Sequence, residues 1–237
     1  MRASDPGSAP ASLWLLVGNS RWHWARGQQG QLACWSESPL PSGGLPQALA
    51  QGDRLRSWAA VGPLPQEAGW LAPDLRLAAA AVPLADLPPW VGIDRALVGW
   101  RAWQLSEGPV LVADVGTALS LTRVSGRGAF AGGRLQAGRS LQLRALAEGT
   151  ALLPAVTGFR QQPLEVEAAW PQETVAALER GVCEGLVAAV ERSWQQARGE
   201  EPACQLWITG GDGAWLARSL GHPCHPNLAL EALAALS

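Results

Sequence analysis

The chain has 237 residues, 48% of them hydrophobic and 16% charged, which suffices for one large domain or two lobes and excludes bulk disorder. A formal net charge of -2 excludes a protein held on nucleic acid by charge alone. All 18 basic residues are Arg: the absence of Lys excludes a lysine-bearing phosphate loop and Schiff-base chemistry, and the absence of Tyr excludes a phenol as acid, base or nucleophile.

In chain order, residues 1–12 are polar and rich in Pro, Gly and Ser, and predict a disordered N-terminal segment. The apolar run Leu13–Val17 is too short for a signal-peptide core or a membrane span. It reads as a buried strand, with Trp22–Ala25 as its hairpin partner across Gly18-Asn19-Ser20. Leu32–Trp35 predicts a strand, Leu45–Leu55 a helix and Trp58–Val61 a short strand. The proline-rich stretch from Pro63 to Pro89 has no assignable state. Spacing of Ala96, Leu97, Trp100 and Trp103 predicts a helix over Asp94–Leu105. Val110–Ala113 is a second all-apolar strand, followed by partners at Leu119–Val124 and Ala129–Leu135. Helices are predicted over Ser140–Glu148, Glu173–Arg198, Ala214–Leu220 and Leu228–Leu236, and a strand over Gln205–Thr209. Leu178, Val182, Leu186 and Val190 form a stripe on the longest helix, either core or dimer interface. Trp22 and Trp24 alternate with His23 and face one side, as core residues do.

Leu15-Leu16-Val17-Gly18-Asn19-Ser20 aligns with Ala113-Asp114-Val115-Gly116-Thr117-Ala118, each reading as strand, glycine turn and small polar residue. The repeat suggests a duplicated two-lobe α/β protein, with lobes at 13–107 and 108–237.

Three glycine-rich turns follow strands: Gly18-Asn19-Ser20, Gly116-Thr117-Ala118 and Gly210-Gly211-Asp212-Gly213. Glycine lets a backbone approach phosphate and aim N–H groups at it, and the third turn also opens a helix. Ordinary hairpin and strand–helix turns are the other reading. In Gly92-Ile93-Asp94-Arg95, an Asp can accept a hydroxyl proton while the Arg holds a carboxylate; the alternative is a helix-capping Asp and a solvated Arg. Asp114, ending an apolar strand, either faces a cation or caps its own turn. The four Cys are isolated, which fits a reducing cytoplasm, and Cys224 with His222 and His225 reads as loop punctuation rather than a zinc site.

Together these motifs resemble the type III pantothenate kinases of the actin-like ATPase superfamily. The resemblance is carried by Gly18-Asn19-Ser20 with Trp24-Ala25, Gly92 to Arg95, Asp114 to Ala118, Gly132-Gly133 with Gly138, Thr150 to Pro154, Glu173-Thr174, Thr209 to Gly213, and Pro226-Asn227-Leu228. It implies a two-lobed, actin-like (ribonuclease H-like) fold with ATP in the cleft. The activity implied is transfer of the γ-phosphate of ATP to the primary hydroxyl of pantothenate, the first step of coenzyme A synthesis. By position it implies a first phosphate loop from Leu16 through Val17, Gly18, Asn19, Ser20, Arg21 and Trp22 to His23. It also implies a pantothenate site at Gly92, Ile93, Asp94 and Arg95, with Asp94 as proton acceptor. Asp114 would hold potassium or ammonium, Thr117 would contact phosphates, and Gly210 and Gly211 would lie near the adenosine. Thr174 would reach pantothenate from the other subunit of a homodimer, and Mg2+ would accompany ATP. No nucleic-acid or membrane partner is implied.

The chain also departs from the family pattern. Leu16 stands where the family's first loop has Asp, which puts metal binding there in doubt. The pantothenate-pocket Tyr has no counterpart, Ala85 or a neighbour standing there; Leu119-Ser120-Leu121-Thr122 replaces Thr-Thr-x-Asp, and Ala137-Gly138 replaces Pro-Gly. The reading is a divergent kinase. The alternatives are a non-catalytic ATP- or pantothenate-binding relative, and a kinase for another small hydroxylated substrate.

Overall fold

The computed structural model describes residues 10–28, 30–39, 45–64, 68–156 and 169–237. In chain order the strands and α-helices begin with β1 (Ser12–Val17), β2 (Trp22–Gln28), β3 (Gln31–Glu37), α1 (Gln47–Ala50), β4 (Arg54–Ala60), α2 (Ile93–Ser106), β5 (Val110–Val115) and β6 (Ala118–Val124). They are followed by β7 (Phe130–Ala137), α3 (Arg139–Gly149), α4 (Thr174–Glu200), β8 (Gln205–Thr209), α5 (Gly213–Leu220) and α6 (Leu228–Ala235).

The strands form two four-stranded mixed sheets with one topology, β3-β2-β1-β4 and β7-β6-β5-β8. In each, three strands meander antiparallel and the fourth returns parallel to the first. Register reproduces the internal repeat. Leu16 lies opposite His23 and Ala59, and Asp114 lies opposite Ser120 and Thr209. The repeats differ by one residue: Gly18 to Arg21 separate paired Val17 and Trp22, whereas Gly116 to Ala118 separate Val115 and Leu119. The duplicated α/β architecture expected from the sequence is the observed one.

The described chain divides into two compact units. One comprises residues up to Val82 with Gly92–Leu97 and Ala229–Ser237; the other comprises Pro83–Val91 and Val98–Leu228. Of the N-terminal segment expected to be disordered, residues 1–9 lie outside the described residues, while Ala11 is buried and Ser12 opens β1. The Ala11 N–H donates to the buried Asp53 carboxylate, which also pairs with Arg26.

In the first unit, alternation along β1 and β2 buries Leu13, Leu15, Val17, Trp22 and Trp24 with Trp58 and Leu71. The Trp24 ring stacks on Trp35 at 6.0 Å and on Trp70 at 6.1 Å, and its Nε1–H donates to Glu37 at 2.7 Å. In the second unit, Val182, Leu186 and Val190 of α4 are buried with Leu111, Ala113 and Leu119 of the sheet, and Leu178 packs beside them. The α4 stripe is therefore core. Gly181 and Gly185 lie within α4 without breaking it.

The helix expected over Leu45–Leu55 is corrected. Only Gln47–Ala50 is helical, and Leu55 belongs to β4. Gly52 adopts φ +91°, a left-handed conformation open to glycine at little cost, and this turns the chain into the strand paired with β1.

Candidate functional site

In the first unit, β1 delivers buried Leu16 and Val17 to the Gly18 turn, whose Asn19, Ser20 and Arg21 side chains are exposed. The Gly18 N–H donates to the Arg21 carbonyl at 2.9 Å, closing the hairpin. Beyond β4, the N–H groups of Val61 and Gly62 both donate to the Val17 carbonyl, at 2.9 and 3.2 Å. A Cβ on Gly62 would overlap the Gly18 carbonyl and lie 2.6 Å from its carbon. Gly62 is thus a steric seat for the first turn. Nothing in the local sequence marks it; the signal is the parallel return of β4.

His23, on β2 across from Leu16, is half-buried, and its Nδ1 lies 2.7 Å from Ser36 Oγ. Burial, aided by the nearby charge of Arg21, holds its pKa below the usual imidazole value. Its Nε2 faces the Gly18 turn.

Asp94 is the second residue of α2, within the part of that helix belonging to the first unit. The Arg95 N–H donates to Asp94 Oδ1 at 2.8 Å, and the Ala96 N–H donates to the Gly92 carbonyl at 3.1 Å. A side chain on Gly92 would press on the Asp94 carboxylate, so glycine admits the carboxylate at that spot. Burial raises the Asp94 pKa, partly offset by the Arg95 amide and guanidinium; burial lowers that of Arg95. Both directions follow from withdrawing charge from water. Asp94 is thus a half-buried carboxylate of increased basicity beside the Arg95 cation.

In the second unit, Asp114 is half-buried at the penultimate position of β5. The Gly116 N–H donates to the Ala118 carbonyl at 2.9 Å, and the Thr117 side chain is exposed. Gly138 is the seat of this turn: its N–H donates to the Thr117 carbonyl at 2.9 Å, and a Cβ there would overlap the Gly116 carbonyl. Gly210 has φ +94°, and a Cβ on it would collide with Asp114 Oδ1 and with Val115 backbone. The Asp212 N–H then donates to the Val115 carbonyl at 2.9 Å, as Gly62 does to Val17 in the other sheet. Register thus makes Leu16 and Asp114 counterparts, and one repeat alone carries a carboxylate there.

Thr174 is the exposed first residue of α4. Buried Arg139, which motif reading missed, lies one residue past Gly138. His222 meets the Trp194 ring edge-on at 4.8 Å and His225 lies 4.1 Å from Trp207, so these imidazoles are packed against indoles. Among the described residues no group of three or more His, Cys, Asp or Glu is arranged to hold a metal, and no helix is long and apolar enough to cross a membrane.

Two like-folded sheets, each ending its first strand in a glycine turn seated on a second glycine, define a duplicated α/β protein. The family model for type III pantothenate kinase matches residues 77–196. A type III pantothenate kinase of Synechococcus sp. (strain JA-2-3B'a(2-13)) is 40% identical over 220 residues, covering 91% of this chain and 82% of its own. That of Synechococcus elongatus is 34% identical over 223 residues, covering 88% and 87%. This chain belongs to the type III pantothenate kinase family. Among solved structures, it is similar to the activator of the 2-hydroxyisocaproyl-CoA dehydratase from Clostridium difficile with bound ADPNP, at 14% identity and TM-score 0.47, over 95% of this chain and 93% of that one.

Proposed function

We propose that this chain phosphorylates the primary hydroxyl of pantothenate with ATP, giving 4'-phosphopantothenate and ADP, and that Asp94 is the base. As the hydroxyl oxygen bonds to the γ-phosphorus, its proton passes to the Asp94 carboxylate. The bond from the γ-phosphorus to the bridging oxygen breaks, and its electron pair leaves on ADP. The observation that carries this assignment is the half-buried, basicity-raised Asp94 at the start of α2, held by Arg95 and admitted by Gly92. Arg95 holds the pantothenate carboxylate, with Gly92 and Ile93 framing the acceptor. Phosphoryl transfer needs positioning and charge neutralisation more than covalent help, so one base, one Arg and backbone turns suffice.

The first turn, Leu16 to His23, and Thr117 hold the phosphates, and Gly210 and Gly211 stand on the adenosine side. Asp114 and the Val115 carbonyl offer oxygen donors suited to a monovalent cation, potassium or ammonium, whose positive charge offsets phosphate charge when bound. Mg2+ arrives with the nucleotide. The position that would give it a first-turn carboxylate is Leu16, only 6% exposed, and no step here depends on a protein-held divalent ion. Thr174 meets pantothenate in the partner subunit of a homodimer. Exposure of Trp170 (90%) and of Val175 near it supports that assignment; the α4 stripe, being core, does not. The enzyme works in the cytoplasm on small molecules, without nucleic acid or membrane, a reading supported by four isolated thiols and the net charge of -2.

The test is ADP release by the purified protein with ATP, magnesium, potassium and pantothenate, against the same mixture without pantothenate. Pantothenate-dependent release is expected. Binding of both substrates without release would reassign the chain as a non-catalytic relative, and release with another hydroxylated acceptor alone would move the substrate.

A further inference from the structure

Gly138 joins β7 to α3 and Arg139 opens α3, and each reaches a different turn. The Gly138 N–H holds the Thr117 carbonyl of the second turn. Arg139 is 2% exposed, and its Nη2 donates to Asp212 Oδ1 at 3.3 Å. Asp212 directly follows Gly210-Gly211, and its N–H holds the Val115 carbonyl on the strand leading into the second turn. The Arg139 guanidinium also lies over the Trp215 ring of α5, 5.2 Å from its centroid. One dipeptide therefore ties together the Gly116 turn and the Gly210 turn.

A buried guanidinium is costly to desolvate, and an apolar side chain of similar volume would fill the same space without that penalty. Arginine adds what an apolar residue lacks, a cationic N–H donor to the Asp212 carboxylate, here a single Nη2–Oδ1 contact at 3.3 Å. Around it lie the Cys183 thiol and Glu179 of α4 as well as Asp212. Burial pushes Cys183 up to about 12, so that thiol stays neutral and adds no competing anion at neutral pH. The residue thus bridges α3, α4 and α5 beneath the two turns.

We propose that Arg139 is a positioning residue for the nucleotide: through Asp212 it fixes the Gly210-Gly211 turn against the Gly116-Thr117 turn. The proposal rests on the assignment of those two turns to ATP. Its effect is expected on the nucleotide, because the turns it ties together, at Gly116 and Gly210, are those assigned to ATP, whereas the acceptor base Asp94 and its neighbour Arg95 belong to the other unit.

The experiment measures MgATP binding by calorimetry without acceptor, then the KM of each substrate, for wild type, Arg139→Lys, Arg139→Met and the double variant Arg139→Met with Asp212→Asn. The double variant removes both charges of the pair, so it leaves no orphaned carboxylate and keeps the comparison open if the single variant fails to fold. Expected is a rise of about ten- to hundredfold in the ATP dissociation constant and KM for the folded double variant. The pantothenate KM stays within about twofold and Arg139→Lys gives an intermediate rise, because the charge is kept but the ammonium does not reproduce the guanidinium's position between Asp212 and Trp215. Wild-type ATP affinity in the folded double variant would overturn the proposal, leaving Arg139 a purely structural residue. So would equal rises in both KM values, or an Arg139→Lys protein as impaired as the double variant. Wild-type ATP binding without pantothenate turnover would sink the acceptor assignment alone, since the calorimetric arm needs no acceptor. Absence of ATP binding by wild type would sink both.

Discussion

Replacing Asp94 with Asn separates the chemistry of the site from its architecture. The two side chains have nearly the same volume, and the amide oxygen can still accept the Arg95 N–H that Asp94 Oδ1 accepts at 2.8 Å. What disappears is the capacity to take a proton. A positioned general base contributes about 10²–10⁴ in rate, or about 2.7–5.4 kcal/mol at 1.36 kcal/mol per decade. A fall of that size in kcat is expected in a coupled ADP-release assay, with the KM for ATP and pantothenate within about tenfold. Stability moves the other way. Burial raises the Asp94 pKa, so the folded protein holds this proton more tightly than the unfolded chain does. Wild-type stability therefore falls as pH climbs from the ordinary carboxylate range through the raised value, and Asp94→Asn escapes that fall. At pH 8 its Tm is expected at or above wild type, and the difference shrinks on acidification. In the wild type, kcat/KM should drop as pH falls through the raised pKa, because the base must be ionised. Retention of kcat within tenfold of wild type would refute the base assignment. A Tm several degrees lower at pH 8 would refute the reasoning about burial.

Gly62→Ala places a methyl group against the Gly18 carbonyl, where backbone must yield; an overpacking cost of about 1–3 kcal/mol is expected in urea denaturation, with a raised KM for ATP. Unchanged stability and KM would mean the turn moves freely. Exchanging potassium for sodium should lower kcat if Asp114 and the Val115 carbonyl hold a selective cation, and equal rates in the two salts would remove that role. Burial pushes the Cys183 and Cys204 thiols up to about 12 and about 11, so at pH 8 a disulfide-exchange reagent should label partly exposed Cys34 and Cys224 first. Equal labelling rates in the native protein, read by mass spectrometry, would contradict that ordering.

Where local periodicity and tertiary packing agree, the sequence was sufficient. The apolar runs Leu13–Val17 and Val110–Ala113 lie in the buried strands β1 and β5, and the four-residue stripe from Leu178 to Val190, which spacing left open between core and dimer interface, is the core face of α4. The repeat around Gly18 and Gly116 was visible as a short similarity, and the paired registers give it structural content. The stretch Leu45–Leu55, expected as one helix, is divided at Gly52, whose φ of +91° ends the short α1 before β4 begins. Gly62 and Arg139 were illegible for another reason. Each acts on residues distant in sequence, Gly18 for one and Asp212 for the other, and a single chain does not reveal which distant backbone a glycine must clear. Asp94 stood out as a motif at the start of an expected helix, but its burial required the fold.

The seating of both hairpin turns on glycines that follow later strands inverts the usual expectation of where a ligand-binding loop tolerates change. Asn19, Ser20 and Thr117 point outward from turns whose paths are set by backbone bonds to Val17, Arg21, Val115 and Ala118. Gly62 and Gly138 bear no side chain to offer a ligand, yet any substitution there must push a carbonyl of the turn aside. The chemistry near a turn can therefore differ while its scaffold stays the same: Leu16 and Asp114 hold the same register position in the two sheets, one apolar and one acidic, and both turns keep a glycine seat.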